Sequence, residues 1–200
     1  MDKNIPIDQN MIDYIFSHSE SLHKVQKKIL KFNDNLGKAK RLQISILQAN
    51  FLQFLIKAHK FKSCLEVGTF TGYSSLSMAL SLPKNGKVYA IDKDIKTNKI
   101  ALNFFKEAKV NNKIFIETNN GINALKKLVK SKKKFDLILI DADKESYIKY
   151  FNYAVQLISK RGIILIDNTL WKGEVLNQNA NDKLTLKIKK FNEYIKKKKN

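Results

Sequence analysis

The chain has 200 residues, of which 44% are hydrophobic and 10% aromatic, a composition that fits one globular domain and excludes a disordered chain. Its formal net charge is +20, but only Arg41 and Arg161 accompany the lysines. Because nucleic-acid surfaces usually use arginine as well, we interpret the charge mainly as a lysine-rich composition. The chain lacks a long apolar run and an apolar signal core, and its single cysteine, Cys64, cannot form an internal disulfide. A cytoplasmic protein is therefore expected.

The first sixty residues are predicted to be helical. Apolar residues recur at three- and four-residue spacing between residues 12 and 30, and an amphipathic run over 42–58 follows a break at 33–37. We expect a single domain, with a helical cap over residues 1–60 and an α/β core over 61–200.

The core alternates short apolar runs with helical stretches. The predicted strands cover residues 64–67, 88–91, 114–116, 135–140 and 163–166, and the helices between them cover 72–81, 94–109, 121–131 and 144–159. Such alternation predicts a parallel α/β sheet with helices on both faces. Gly86 and Gly162 are expected in the turns just before two strands, and an amphipathic helix with a solvated lysine tail is expected over 183–200.

A glycine-containing turn follows the first strand, in the segment LEVGTFTGYS over residues 65–74. The bare backbone at Gly68 and the helix beginning near Gly72 would allow a ligand to approach closely. The spacing matches neither the dinucleotide-binding fingerprint nor a phosphate-binding loop. Glu66, just before the turn, would repel a phosphate and suits the ammonium group of an amino acid.

Asp92 ends the second strand. An acid at this position commonly accepts hydrogen bonds from ribose hydroxyls, and the alternative is a cap for the helix that begins after Asp94. Taken with Glu66, it predicts an adenosyl ligand without phosphates, a description that S-adenosylmethionine fits.

Oxygen-bearing side chains follow the fourth and fifth strands. Asp141 comes after one strand, and Asp167 and Asn168 come after the next. Because parallel strands end at the same edge, these side chains can converge on a hard cation such as Mg²⁺. A bound cation would make a hydroxyl more acidic, and Lys144 is the candidate acceptor of its proton. The alternative is that these acids cap helices, which we favour for Asp143.

Other candidate sites have weak support. His18, His23 and His59 show no metal-ligand spacing, and Cys64 lies within a predicted strand. No nucleophile elbow is present. Trp171 is a candidate for stacking on a planar substrate, and ordinary packing is the alternative.

These motifs together resemble the caffeoyl-coenzyme A and catechol-type O-methyltransferase family. The resemblance covers about residues 11–195. It is carried mainly by LEVGTFTGYSSLS at 65–77, FDLILIDADK at 135–144 and IDNTLWKG at 166–173, with further similarity at 14–19, 42–45 and 87–92.

The resemblance implies a Rossmann-like methyltransferase fold, usually dimeric, that methylates a hydroxyl of a small catechol-like or vicinal-diol acceptor. It assigns S-adenosylmethionine to Glu66, Gly68, Ser74, Asp92, Gly121 and Ile44. It assigns the cation to Asp141, Asp167 and Asn168, catalysis to Lys144 with Asp141, and the substrate to Trp171.

The chain departs from the family pattern at three places. Residues 46–49 and 119–121 differ from the motifs expected at the lid and at the adenine contact. The family's last two strands have no counterpart after the strand at 163–166, which should then be a sheet edge. We expect reduced stability, compensated by dimer contacts.

Two alternative functions remain open at this level. The net charge of +20 favours a tRNA hydroxyuridine O-methyltransferase with the same chemistry. The missing strands favour a non-catalytic cofactor-binding remnant.

Overall fold

The computed structural model describes residues 7–198. Three helices form the amino-terminal region: α1 (Gln9–Ser17), α2 (Lys24–Asp34) and α3 (Ile46–His59), with a 3₁₀ helix at Gly37–Leu42. The alternating core follows as β1 (Ser63–Val67), α4 (Tyr73–Ser81), β2 (Lys87–Asp92), α5 (Ile95–Glu107), β3 (Ile114–Thr118), α6 (Gly121–Lys130), β4 (Phe135–Ile140), α7 (Tyr147–Leu157) and β5 (Ile158–Ile166). Short 3₁₀ helices at Lys144–Ser146 and Trp171–Leu176 and the helix α8 (Lys183–Lys196) complete the described chain.

The five strands form one parallel sheet in the order β3-β2-β1-β4-β5. The chain starts at the central strand, fills one side and then crosses to the other. The crossover therefore lies between β1 and β4. In open parallel sheets, ligands bind beyond the carboxyl ends of the strands at such a reversal. The predicted α/β architecture is confirmed.

Two buried clusters cover the two faces of the sheet. The first contains Ile29, Leu52, Leu76 and Phe105, from the four helices α2 to α5. The second contains residues of α6, α7 and α8. Successive residues of a strand point to opposite faces of the sheet and belong to the two clusters in alternation, as expected for strands buried on both faces.

Three predicted boundaries were wrong. β5 begins at Ile158, so Gly162 lies inside it and not before it. Phe135 pairs with Ile158 and Leu137 with Ile163, so several residues of β5 bulge outward there. A Cβ atom at position 162 would lie 2.9 Å from the Asp136 carbonyl oxygen, which explains a glycine in this bulge.

The other two boundaries concern helices. α3 begins at Ile46, not near residue 42, because Ser45 and Gln48 form a capping box. The last helix ends at Lys196, and the predicted end of its lysine tail, residues 199–200, lies outside the described residues. Among residues 7–198, no helix is long and apolar enough to cross a membrane.

Candidate active site

The carboxyl edge of the sheet holds its functional side chains in one row. The backbone ladder continues one residue beyond three strands: Gly68 N–H donates to the Ile91 carbonyl at 2.9 Å, Asp141 N–H to the Val67 carbonyl at 2.9 Å, and Asp167 N–H to the Ile140 carbonyl at 3.0 Å. The residues after β1, β4 and β5 therefore sit on neighbouring, hydrogen-bonded backbone.

Asp141 and Lys144 form a largely buried ion pair in this row. Lys144 Nζ lies 3.0 Å from Asp141 Oδ1, with side-chain exposures of 11% and 14%. Burial raises the pKa of Asp141, Lys144 counteracts that shift, and the charge of Asp167 adds to it. The structure thus brings Asp141, Lys144 and Asp167 together, as predicted from the strand ends.

Asp167 and Asn168 form a compact oxygen-rich turn after β5. Asp167 Oδ1 accepts the Asn168 backbone N–H at 2.7 Å, and Asp167 Oδ2 accepts the Asn168 side-chain amide at 3.0 Å. Asn168 has φ +57°, a left-handed conformation that asparagine tolerates better than most residues. Tyr147 Oη also donates to the Asp167 carbonyl at 3.0 Å, which anchors the turn to α7.

The donor set suits a hard cation. Two carboxylates and one amide supply oxygens, and two neighbouring carboxylates with one lysine leave negative charge for a divalent ion to neutralise. Within residues 7–198 there is no cluster of three or more His, Cys, Asp or Glu side chains suited to a metal, so the set depends on Asn168 as its third member.

Gln48 completes the edge from the amino-terminal helices. Its Nε2 donates to Asp167 Oδ1 at 2.6 Å, while its Oε1 accepts the Ser45 backbone N–H at 2.8 Å. The capping box therefore orients the amide toward the candidate metal ligand. From the sequence alone, Gln48 is placed only in the altered lid segment 46–49, although the spacing Ser45-x-x-Gln48 is itself a capping signal.

The glycine turn packs against the backbone of Asp141. Gly68 has φ +97°, and a Cβ atom there would lie 2.0 Å from the Asp141 carbonyl oxygen. Gly72 has φ +87° and lies against Phe105 of α5. Both glycines are thus required by packing, and their predicted contact with a cofactor is a separate hypothesis.

Asp92 holds this turn in place. Its Oδ2 accepts the backbone N–H groups of Thr69 and Phe70, each at 2.9 Å. The helix α5 is capped by Asp94, whose side chain accepts from Lys96 N–H at 2.7 Å. Asp92 Oδ1 also accepts the Asp94 backbone N–H at 3.0 Å, so Asp92 supports the start of α5 as the capping alternative expected, although Asp94 itself is the cap. The ribose role of Asp92 remains a prediction.

Glu66 is fully buried beneath the turn. Its Oε2 accepts from Thr69 Oγ1 at 3.2 Å and from Ser75 Oγ, and its Oε1 has no hydrogen-bond partner. Burial raises the pKa of Glu66 to about 7, against the lowering effect of the neighbouring hydroxyls of Ser74, Ser75 and Thr69. The unpartnered Oε1 is a buried hydrogen-bond acceptor without a donor, and the ammonium group of a ligand would supply one. The sequence pattern did not single out Thr69, which lies within the turn segment, or Ser75, which directly follows it in α4.

The remaining predicted residues are placed as follows. Asp143 accepts Ser146 N–H at 3.0 Å and caps the 3₁₀ helix, which confirms its predicted capping role. Ile44 is buried in the core with 6% exposure, and Gly121 begins α6 where Tyr150 approaches closely. Trp171 is half-buried beside the Asn168 turn. Its backbone N–H donates to the Asn168 carbonyl at 3.0 Å. Ligand roles for Ile44, Gly121 and Trp171 stay predictions.

All three histidines make local contacts, and the His18 ring stacks on Tyr14 with 4.1 Å between ring centroids. His23 Nδ1 accepts the Val25 N–H at 3.2 Å and caps α2, and His59 stacks on Phe61 with 5.1 Å between ring centroids. His18 is exposed at the end of α1.

Comparison with known proteins identifies the family of this chain. A family model described as O-methyltransferase matches residues 16–200. The chain belongs to the O-methyltransferase family. This confirms both the family and the class of enzyme expected from the motifs.

Individual relatives of this O-methyltransferase support the same family assignment. A caffeoyl-CoA O-methyltransferase of Populus kitakamiensis is 40% identical over 71% of this chain and 61% of its own length. Catechol O-methyltransferase domain-containing protein 1 of Mus musculus is 30% identical over 95% of this chain and 73% of its own length. The chain thus spans roughly two thirds of the length of these curated relatives.

A solved structure shares the fold. The O-methyltransferase from Bacillus cereus, in complex with SAH, superposes with a TM-score of 0.84 at 28% identity, covering 93% of this chain and 84% of that one. The predicted Rossmann-like methyltransferase fold is confirmed.

Proposed function

We propose that this O-methyltransferase transfers a methyl group from S-adenosylmethionine to one hydroxyl of a small acceptor with two adjacent hydroxyls, using a divalent cation such as Mg²⁺. The observation that carries the proposal is the convergence of Asp141, Asp167 and Asn168 beside the Asp141–Lys144 ion pair of 3.0 Å. These groups lie beside a glycine turn at the reversal of the sheet, where ligands of such folds bind.

The residues around the turn fit the methyl donor. The unpartnered Oε1 of Glu66 suits the ammonium of the methionine part, and Ser74 lies beside this carboxylate. The first turn of α4 has no side-chain cap, so its amides are available to a ligand. Asp92 would accept hydrogen bonds from the ribose hydroxyls, and Gly68, Gly121 and Ile44 are the remaining proposed contacts.

The metal-site residues would position the acceptor. Asp141, Asp167 and Asn168 would hold the cation, which on binding lowers the pKa of a coordinated hydroxyl and keeps two neighbouring oxygens in place. Lys144, as the neutral amine, would take up the hydroxyl proton, and Trp171 would cover a planar ring. The acceptor oxygen then bonds to the methyl carbon as the methyl–sulfur bond breaks. Catalysis by the chain consists of positioning and charge control.

Calorimetric titration tests this proposal. Wild type should bind S-adenosylmethionine, and 1,2-dihydroxybenzene should bind only with Mg²⁺ present. Asp141→Asn should abolish the Mg²⁺-dependent step and leave cofactor binding intact. The matched control is Glu145→Gln, an exposed acid in the same segment that pairs with Lys183. A folded protein that binds the cofactor but shows no Mg²⁺-dependent binding of the diol would support the remnant alternative. A folded protein that binds no cofactor would overturn the proposal, and methyl transfer to tRNA alone would overturn the small-molecule acceptor.

A homodimer is part of the same proposal. β5 lies at the edge of the described sheet, and an unpaired edge is a stability liability that association can offset. Sedimentation velocity over a hundredfold concentration range would show whether the species is dimeric. A monomer that melts cooperatively above ordinary mesophile temperatures would contradict the expected reduction in stability.

A further inference from the structure

An open cleft of about 900 Å³ lies between the 3₁₀ helix Gly37–Leu42 and the start of α3. Eight described residues line it, and three of them are cations: Lys38, Lys40 and Arg41. None of the eight is acidic. The cleft is therefore electropositive by composition.

The segment that carries these cations is fixed at both sides. Asn33, fully buried in α2, donates from Nδ2 to Gln43 Oε1 at 2.6 Å. Ile44 is buried in the core, and Ser45 caps α3 by accepting Gln48 N–H at 3.1 Å. The cations therefore extend from a positioned backbone and not from a free loop.

The three cations differ in their pairing. Lys40 Nζ lies 2.6 Å from Asp34 Oδ1. Within the described chain, Lys38 and Arg41 have no acidic side chain within 4.0 Å. Arg41 is one of only two arginines in a chain with 38 basic residues, and its planar fork suits a bidentate anion such as a carboxylate. The positive end of α3, which begins at the cleft, adds to the same field.

The cleft adjoins the metal edge through one side chain. Gln48 lines the cleft, and its Nε2 contacts Asp167 Oδ1 at 2.6 Å. An acceptor whose hydroxyls lie at Asp141 and Asp167 can therefore extend a substituent past Gln48 into the cleft. The cationic residues lie on the side from which the acceptor would extend.

We propose that this cleft binds an anionic substituent of the methyl acceptor, so that the preferred substrates are aromatic vicinal diols with a carboxylate. Lys38 and Arg41 are the specificity-determining residues. The inference rests on the proposed function for the placement of the hydroxyls, but the anion site itself is defined by the cleft.

Binding without turnover tests the anion site directly. Benzoate, which has the carboxylate and no hydroxyls, should bind wild type, and K38Q/R41Q should weaken its binding about five- to tenfold, as expected for partly exposed charge-assisted contacts. R161Q is the matched control, because Arg161 is an exposed arginine in β5. Equal weakening in both variants, or none in K38Q/R41Q, would overturn the proposal.

Kinetics then separates this inference from the proposed function. 3,4-Dihydroxybenzoate should have a lower KM than 1,2-dihydroxybenzene, and K38Q/R41Q should raise only the KM of the acid, with kcat kept. High salt should reduce the same preference. Methylation of both compounds with no preference for the acid refutes the anion site alone. Binding of benzoate that depends on Arg41, without any methylation, supports the site and refutes the proposed reaction.

Discussion

The side-chain amide of Gln48 donates to Oδ1 of Asp167 at 2.6 Å, joining two residues that lie 119 positions apart. The same amide accepts from the backbone of Ser45, so one residue caps α3 and restrains a candidate metal ligand. The helical cap is thereby connected directly to the chemistry at the sheet edge.

Gln48→Glu isolates this connection. Glutamate keeps the oxygen that completes the capping box but replaces the donor to Asp167 with a second negative charge. We expect a loss of about 1–2 kcal/mol in unfolding free energy without metal, largely recovered at millimolar Mg²⁺. Urea unfolding with and without Mg²⁺ measures both values. An identical loss under the two conditions would show that the Asp167 contact is only structural.

Glu66→Gln should change stability and ligand binding in opposite directions. The pKa of Glu66 is about 7 in the folded protein, against an ordinary value of 4.5. The folded state therefore binds the extra proton, and stability falls as pH rises from about 4.5 through 7. Glutamine cannot ionise, so it removes the destabilisation caused by the buried charge of Glu66, which amounts to about 3 kcal/mol above pH 8. Urea unfolding at pH 5 and pH 8 should show the variant gaining relative to wild type at the higher pH.

The same variant should bind S-adenosylmethionine more weakly, because an amide cannot balance the ligand ammonium. Calorimetry at pH 8 measures this loss, and Ser81→Ala on α4 serves as a control within the same helix. Unchanged cofactor affinity in the Gln variant would remove Glu66 from the proposed site.

Gly68→Ala should be far more damaging than Gly173→Ala. Both positions have positive φ, +97° and +88°, but only at Gly68 would the added Cβ meet backbone, at 2.0 Å from the Asp141 carbonyl oxygen. We expect about 1–2 kcal/mol of destabilisation at Gly173 and more than about 3 kcal/mol at Gly68. Thermal unfolding ranks the two variants. Similar melting temperatures would mean that the glycine turn can move away from β4.

Asp136→Ala tests stability apart from function. Asp136 Oδ2 accepts the N–H groups of Lys62 and Ser63 at 2.9 and 3.0 Å, and Oδ1 accepts from Ser159 at 3.1 Å, all at the amino ends of the strands. Removing the carboxylate should cost about 2 kcal/mol and leave cofactor affinity unchanged in the folded protein. A changed affinity would show that the two edges of the sheet are coupled.

The sequence by itself determined the alternating strands and helices, the glycine turn after β1 and the acids at the strand ends. These are local signals: apolar runs, glycine spacing and the residue type that follows each run. Asp141 and Asp167 could be paired in advance because parallel strands end at a common edge, whatever their separation along the chain.

Only the tertiary structure decided which groups contact them. The approach of Gln48 to Asp167 depends on how α3 packs on the sheet. The position of Gly162 depends on the bulge opposite Asp136. Gly68 is required by its positive φ and also by the closeness of the Asp141 carbonyl. Contacts of this kind join residues that are far apart in sequence. They depend on how helices and strands pack against one another, and a local sequence pattern does not predict that packing.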